Sequence, residues 1–145
     1  MKPMHFSVTI NAPVEKVWRT MLEQDTYRIW AAEFMPGSCY EGSWEQGSKI
    51  LFLDPNGSGM SSMIAENRPY QFISIKHLGV IREGVLDAGS EESKAWASVS
   101  ENYTFTSQGG GTLLHVEMSA IPAEFETYMA ETWPKALEKL KTLCE

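Results

Sequence analysis

The sequence predicts an α+β fold in which a curved antiparallel sheet wraps around one long C-terminal helix. Three observations carry this expectation. A period-two strand opens the chain, two short amphipathic segments follow it at once, and a run of strands and turns from Ser38 to Ser119 leads into a single helical tail. An antiparallel sheet with one apolar face needs a cover, and the tail is the only segment long enough to provide it. The expected order is β-α-α-β(five or six)-α, in one domain spanning residues 1–145.

The first strand is Met4–Ile10, where Met4, Phe6, Val8 and Ile10 alternate with His5, Ser7 and Thr9; this alternation marks a half-buried strand. Asn11 is a candidate cap, and Pro13 fits the first turn of a helix, where a missing N–H costs nothing. Val14, Val17, Trp18, Met21 and Leu22 then form one apolar stripe at helical spacing. Asp25-Thr26 offers a second cap. The helix it opens carries Tyr27, Ile29, Trp30 and Phe34, and should end at Pro36-Gly37.

Strands are expected at Ser38–Trp44 and Lys49–Leu53, separated by a turn at Glu45-Gln46-Gly47. The turn-rich run Asp54–Gly59 reads as a hairpin loop. Met60–Glu66 and Tyr70–Leu78 are further strands, broken at Arg68-Pro69. Residues Gly79–Lys94 are polar and irregular. They read as a long, mobile connection with some strand character at Val80–Leu86. Ala95–Ser107 and Thr112–Ser119 form the last hairpin around Gly109-Gly110-Gly111. The tail carries Phe125, Tyr128, Met129, Trp133, Leu137, Leu140 and Leu143 at helical spacing, and Pro134 should kink it or mark the junction of two segments.

Composition narrows the function. A net charge of −7 opposes binding to phosphate backbones, and no Lys/Arg stripe overrides it, so nucleic acid is not an expected partner. No apolar run approaches the ~18 residues of a membrane span. The N-terminus enters a strand directly and does not read as a signal peptide. Cys39 and Cys144 form no CxxC unit, and a reduced, cytoplasmic protein is the simplest reading. Asp54–Gly59 begins like a calcium loop, but its twelfth position is Ala65 where a bidentate Glu is needed. Gly109-Gly110-Gly111 lacks the Gly-Lys-Ser/Thr of a phosphate cradle. No metal site and no cofactor are expected.

Several segments resemble a known family. Ile10-Asn11-Ala12-Pro13-Val14-Glu15-Lys16-Val17-Trp18 is similar to its opening "I-x-A-P-x-E-x-V-W" motif. Gly47-Ser48-Lys49-Ile50, Asn67-Arg68-Pro69-Tyr70, Glu101-Asn102-Tyr103-Thr104-Phe105 and Trp133–Lys141 are similar to its later landmarks. The family is the START-like, or SRPBCC, superfamily, in the branch of chaperone ATPase activator homologues. The resemblance implies a helix-grip fold, as in the pollen allergens, with a hydrophobic cavity between sheet and helix. Members of the superfamily include lipid carriers, hormone receptors, polyketide cyclases, resistance proteins and chaperone regulators, so the fold by itself names no activity.

The residues suggest where a site would lie. Strand parity sends His5 and His115 towards solvent and His77 inward with Ile73 and Ile75. Glu101 shares parity with Val99, Tyr103 and Phe105, so a carboxylate faces inward, where an unpaired charge costs several kcal/mol. It reads as a strand edge or bulge that reaches water, as a polar anchor for a ligand, or as an acid/base in a cyclase- or hydrolase-like site, a role His77 could also fill. Trp30, Phe34, Trp44, Met63, Tyr103, Met129 and Trp133 are either plain core or the lining of an apolar ligand pocket. The leading expectation is a module that binds a small, largely apolar ligand, such as a lipid. Its contact area would come from Trp30, Trp44, Met129 and Trp133, its orientation from Glu101, Tyr103 and His77, and access would be gated by Asp54–Gly59 and Gly79–Lys94. The other two readings are an enzyme using Glu101 or His77, and a protein-interaction module or homodimer with a filled core.

Overall fold

The computed structural model describes residues 3–87, 89–97 and 99–145. Ala88, in the expected mobile connection, and Ser98, in the expected Ala95–Ser107 strand, lie outside the described residues, as do Met1 and Lys2. The elements run β1 (Met4–Ile10), α1 (Val14–Leu22), α2 (Gln24–Ala31), β2 (Cys39–Gly42), β3 (Lys49–Leu53), β4 (Gly59–Arg68), β5 (Phe72–Arg82), β6 (Val85–Asp87), α3 (Glu91–Trp96), β7 (Ser100–Gln108), β8 (Gly111–Met118) and α4 (Glu126–Cys144). The sheet is antiparallel throughout, in the order β1-β8-β7-β5-β4-β3-β2, with β6 added to the far end of β5. It curves without closing, and α4 packs on β1 and against α1 and α2. This is the helix-grip arrangement.

β1, α1 and β3 have the expected bounds, because in each the apolar period is uninterrupted. The caps differ from expectation. Pro13 and Glu23 occupy the N-cap positions of α1 and α2 without a side-chain bond. Asn11 instead donates its backbone N–H to Glu145 Oε2 at 2.7 Å, tying the start of α1 to the end of α4. α2 stops at Ala31, short of Pro36-Gly37, and continues as turns. β2 ends at Gly42, whose φ of +117° and close approach to the Lys49 carbonyl exclude a side chain.

Two register shifts bend the sheet. Ser61 faces Gly79 while Ser62 faces His77, so Leu78 is an extra residue in β5; Ile64 faces Ile75 while Glu66 faces Ser74, so Ala65 is an extra residue in β4. Each bulge adds local twist and exposes the inserted side chain, and both Leu78 and Ala65 are exposed.

The largest departure concerns Gly79–Lys94, expected as an irregular connection. β5 continues to Arg82 and turns back at Glu83-Gly84, both at positive φ, the geometry of a tight hairpin. Asp87 then organises the path from β6 into α3. Its carboxylate accepts from Arg82 Nε at 2.8 Å, from the Ser90 hydroxyl at 2.6 Å and from the Ser90 and Gly89 amides. Ser90 in turn caps α3 by accepting from the Ser93 amide at 3.1 Å. Local side-chain bonds thus order a segment whose composition is that of a loop.

α4 runs unbroken through Pro134, so the expected junction of two segments is absent. The proline is exposed, and so is Ala130, whose carbonyl loses its helical donor and faces solvent instead. Among the described residues no helix is long and apolar enough to cross a membrane. Both cysteines are free, Cys39 half-buried and Cys144 buried.

Candidate functional site

β5 and β7 lie side by side at the centre of the sheet, and their alternation delivers His77 and Glu101 to the concave face. Glu101 sits opposite Ile75 on one side and Met118 on the other. Both neighbours are at most 1% exposed, so Glu101 is neither at an edge nor in a bulge. Its side chain nevertheless keeps 14% of its surface accessible, against 6% for His77.

A buried polar chain holds this carboxylate. Tyr103, two residues along β7, donates its hydroxyl to Oε2. His77 Nε2 lies 3.3 Å from Oε1, and His77 Nδ1 lies 2.7 Å from the Ser62 hydroxyl. A carboxylate only accepts, so Nε2 carries a proton, and in the neutral ring Nδ1 accepts from Ser62. The His77 backbone N–H is fixed to the Val99 carbonyl at 2.9 Å. Burial, and next the Glu101 charge, push the Tyr103 phenol well above its ordinary value, and Tyr27 is raised by the same two causes in the same order. Both therefore remain protonated, and Tyr103 serves as a donor to Glu101. Ser, His and Glu in sequence have the residue types of a nucleophilic triad, but Ser62 is fully buried and meets no substrate in this conformation.

Aromatic rings surround the polar chain. Trp133 packs against Phe34 at 4.9 Å, Tyr103 at 6.1 Å and Trp30 at 6.2 Å between centroids, and its indole N–H points to Met118 Sδ at 3.3 Å. From Trp30 the contacts continue through Tyr27, Tyr40, Trp44 and Phe52 to the His77 ring. Trp96 of α3 packs edge-on against His77 at 6.3 Å and on Phe125 at 5.3 Å. Most of these contacts are edge-to-face, a geometry favourable beyond the area it buries.

The structure thus brings Trp30, Phe34, Trp44, His77, Glu101, Tyr103 and Trp133 into one continuous network, with Met129 half-buried against the same core. Met63 is the exception. It alternates with the fully buried Ser62 and Ile64 and so lies on the opposite face, level with Lys49 and Lys76. His5 and His115 lie on that outer face as expected, 3.1 Å apart. Ser62, Tyr27, Phe52 and Trp96 belong to the network although sequence reasoning did not select them. The two expected gates touch: the Gly84 amide donates to the Gly57 carbonyl at 3.0 Å, and the Glu83 amide to the Ser58 hydroxyl at 2.9 Å.

Two open grooves mark the surface. One of about 380 Å³ lies between α1 and the end of β2, lined by Trp18, Tyr40, Trp44 and Asn67 among others. The other, of about 510 Å³, follows the outer face of α4 past Pro134 and Glu138. Neither reaches Glu101, and aromatic side chains occupy the space between sheet and α4. Among the described residues no group of three or more His, Cys, Asp and Glu side chains is placed to hold a metal ion.

The family model described as "Activator of Hsp90 ATPase homolog 1-like protein" matches residues 11–145. The chain belongs to this family. No curated protein matches its sequence significantly. Among solved structures, this family member is similar in fold to protein MLL2253 from Mesorhizobium loti, with a TM-score of 0.75 at 18% identity, covering 98% of this chain and 96% of that one. CV1439 from Chromobacterium violaceum gives 0.71 at 17% identity, covering 99% and 97%. The Aha1 dimer from Colwellia psychrerythraea, solved in solution, gives 0.67 at 17% identity, covering 99% and 94%. These likenesses establish the START-like, SRPBCC-type fold of the family and leave the chemistry to the residues of this chain.

Proposed function

We propose that this chain is a binding module that takes a small, largely apolar molecule against the concave face of its sheet, with Glu101 as the polar anchor. The observation that carries this reading is Glu101 itself. A carboxylate at the centre of a sheet, between Ile75 and Met118, costs several kcal/mol relative to an apolar residue. Tyr103 and His77 offset part of that cost by hydrogen bonds, yet the side chain keeps accessible surface where its neighbours have almost none. A group held rigidly, partly solvated and ringed by aromatic side chains is suited to orient a ligand. Trp30, Phe34, Trp44, Met129 and Trp133 would supply contact area and adjust their packing as the ligand enters.

The test is a thermal-shift and tryptophan-fluorescence screen with fatty acids, aromatic compounds and polyketide-like phenols. Saturable binding that weakens in folded Glu101→Gln or Trp133→Ala supports the reading; no response from any compound removes it.

A second reading, association with a protein or with a second copy, draws on a different observation. Leu78, Val85 and Leu86 expose 45%, 68% and 53% of their surface on the β5–β6 hairpin, where β6 pairs only with β5, and exposed apolar side chains at a sheet edge favour contact with another protein. Concentration-dependent sedimentation, with Val85→Lys as control, tests it: a dimer abolished by the substitution supports the reading, and a monomer at all concentrations removes it.

A further inference from the structure

The outer face of the sheet brings two histidines together. His5 on β1 pairs with Glu117 on β8 and Ser7 pairs with His115, so His115 is the diagonal neighbour of His5 across two strands in unbroken register. His5 Nδ1 lies 3.1 Å from His115 Nε2, with the ring centroids 5.3 Å apart. The two stand 110 positions apart in the chain, so no sequence spacing announces the pair. His5 is exposed and His115 half-buried, which leaves both rings within reach of an ion from solvent. Glu117 Oε2 lies 3.7 Å from the same His5 nitrogen, and Asn102 Nδ2 donates to Oε1 of that carboxylate at 3.3 Å.

The separation of the two nitrogens suits a shared ion. Nitrogens bound to one metal at about 2.0–2.1 Å stand roughly 2.9–3.4 Å apart for bond angles between a right angle and tetrahedral. In the neutral pair one facing nitrogen carries the proton of the hydrogen bond. Moving that ring to its other tautomer frees both lone pairs with no net loss of a proton. Glu117 lies beyond the bonding separation from His5, so the group offers two protein ligands and, beside them, a carboxylate of opposite charge to the ion.

We propose that His5 and His115 form a two-ligand surface site for a divalent transition-metal ion of the nickel, copper and zinc kind, which fastens the edge strand β1 to β8. Imidazole suits these ions, whereas Mg²⁺ and Ca²⁺ take oxygen ligands. An ion held by a pair that only the folded sheet assembles stabilises the fold by mass action. The site lies on the face opposite Glu101 and does not depend on the reading of that residue.

Calorimetric titration of the chelator-treated chain with NiCl₂, and separately with MgCl₂, tests this at neutral pH in about 0.15 M salt, which screens general attraction to the acidic surface. A single Ni²⁺ should bind saturably, with Mg²⁺ at least about 100-fold weaker. His5→Ala and His115→Ala should each weaken Ni²⁺ binding by about tenfold or more, while Cys39→Ser, which removes the more accessible thiol, should leave it unchanged. Should a histidine variant fail to fold, Ni²⁺-induced broadening of amide resonances in the unmodified protein decides: broadening centred on His5, Ser7, His115 and Glu117 supports the site. Broadening centred elsewhere overturns it, as do equal affinities for Ni²⁺ and Mg²⁺, Ni²⁺ binding that survives both histidine substitutions, or its loss in Cys39→Ser.

Discussion

His77 Nε2 stands 3.3 Å from Glu101 Oε1, joining the two central strands of the sheet through their side chains. Neither residue is close to the other in sequence. They meet because Ile75 and Glu101 are register partners in adjacent antiparallel strands, which sets the next inward residue of β5 beside Glu101. The second carboxylate oxygen is held by Tyr103 from the same strand as Glu101, so the anchor is braced from two directions.

Tyr103→Phe removes one of these braces and leaves Oε2 without its protein donor. The expected cost is about 1–3 kcal/mol, as for an orphaned buried polar group, measured by urea unfolding. In a Glu101→Gln background the same substitution should cost less. Equal costs in the two backgrounds would show that the two groups are not coupled.

Trp133→Ala empties the centre of the aromatic network, where Trp133 is only 2% exposed. A loss of about 3–5 kcal/mol is expected from transfer and cavity terms together, read from chemical denaturation. A loss under about 1 kcal/mol would mean that the surroundings collapse readily and that the network is not tightly packed.

Ser90→Ala removes the cap of α3, the helix that sets Trp96 over His77. About 1 kcal/mol of local stability should be lost. Amide exchange in α3 should accelerate while exchange in β7 and β8 stays slow. Uniform acceleration across the sheet would contradict a local role.

Asp87 gives this segment a pH dependence of defined sign. Its hydrogen bond from the Ser90 hydroxyl, and next that from Arg82, hold its carboxyl well below the usual carboxylate range. A lowered folded value means stabilisation that is complete above the unfolded value of about 3.9 and lost as pH falls through the folded one. Protection of the α3 amides, taken relative to their intrinsic exchange rates, should therefore be unchanged between about pH 5 and 7 and fall in stronger acid. In Asp87→Asn that acid-induced loss of protection should disappear.

The parts of this architecture that follow a regular period were legible in the sequence. Inward placement of His77 and Glu101 came from simple alternation with Ile73, Ile75, Tyr103 and Phe105, which the register bears out. The bulges at Leu78 and Ala65 were not legible, because an inserted residue looks like any other until its partner strand is known. α3 and its Trp96 were hidden in a polar stretch held by Asp87 and Ser90 side chains instead of by apolar contacts. For Met63 the signal was present and outweighed by its size: it is out of step with Ile64, which faces the core. Tyr27 and Ser62 join the network only through contacts across elements, which no one-dimensional pattern contains.

The most direct test of the central claim is an NMR titration of the isotopically labelled protein with the tightest-binding compound among the fatty acids, aromatic compounds and phenols of the screen, following backbone amides. Saturable shifts centred on Ile75–His77 and Glu101–Tyr103, and weakened in Glu101→Gln, are the predicted result. Shifts confined to the groove around Trp18 and Asn67, or to the outer face of α4, would place binding elsewhere and contradict the account.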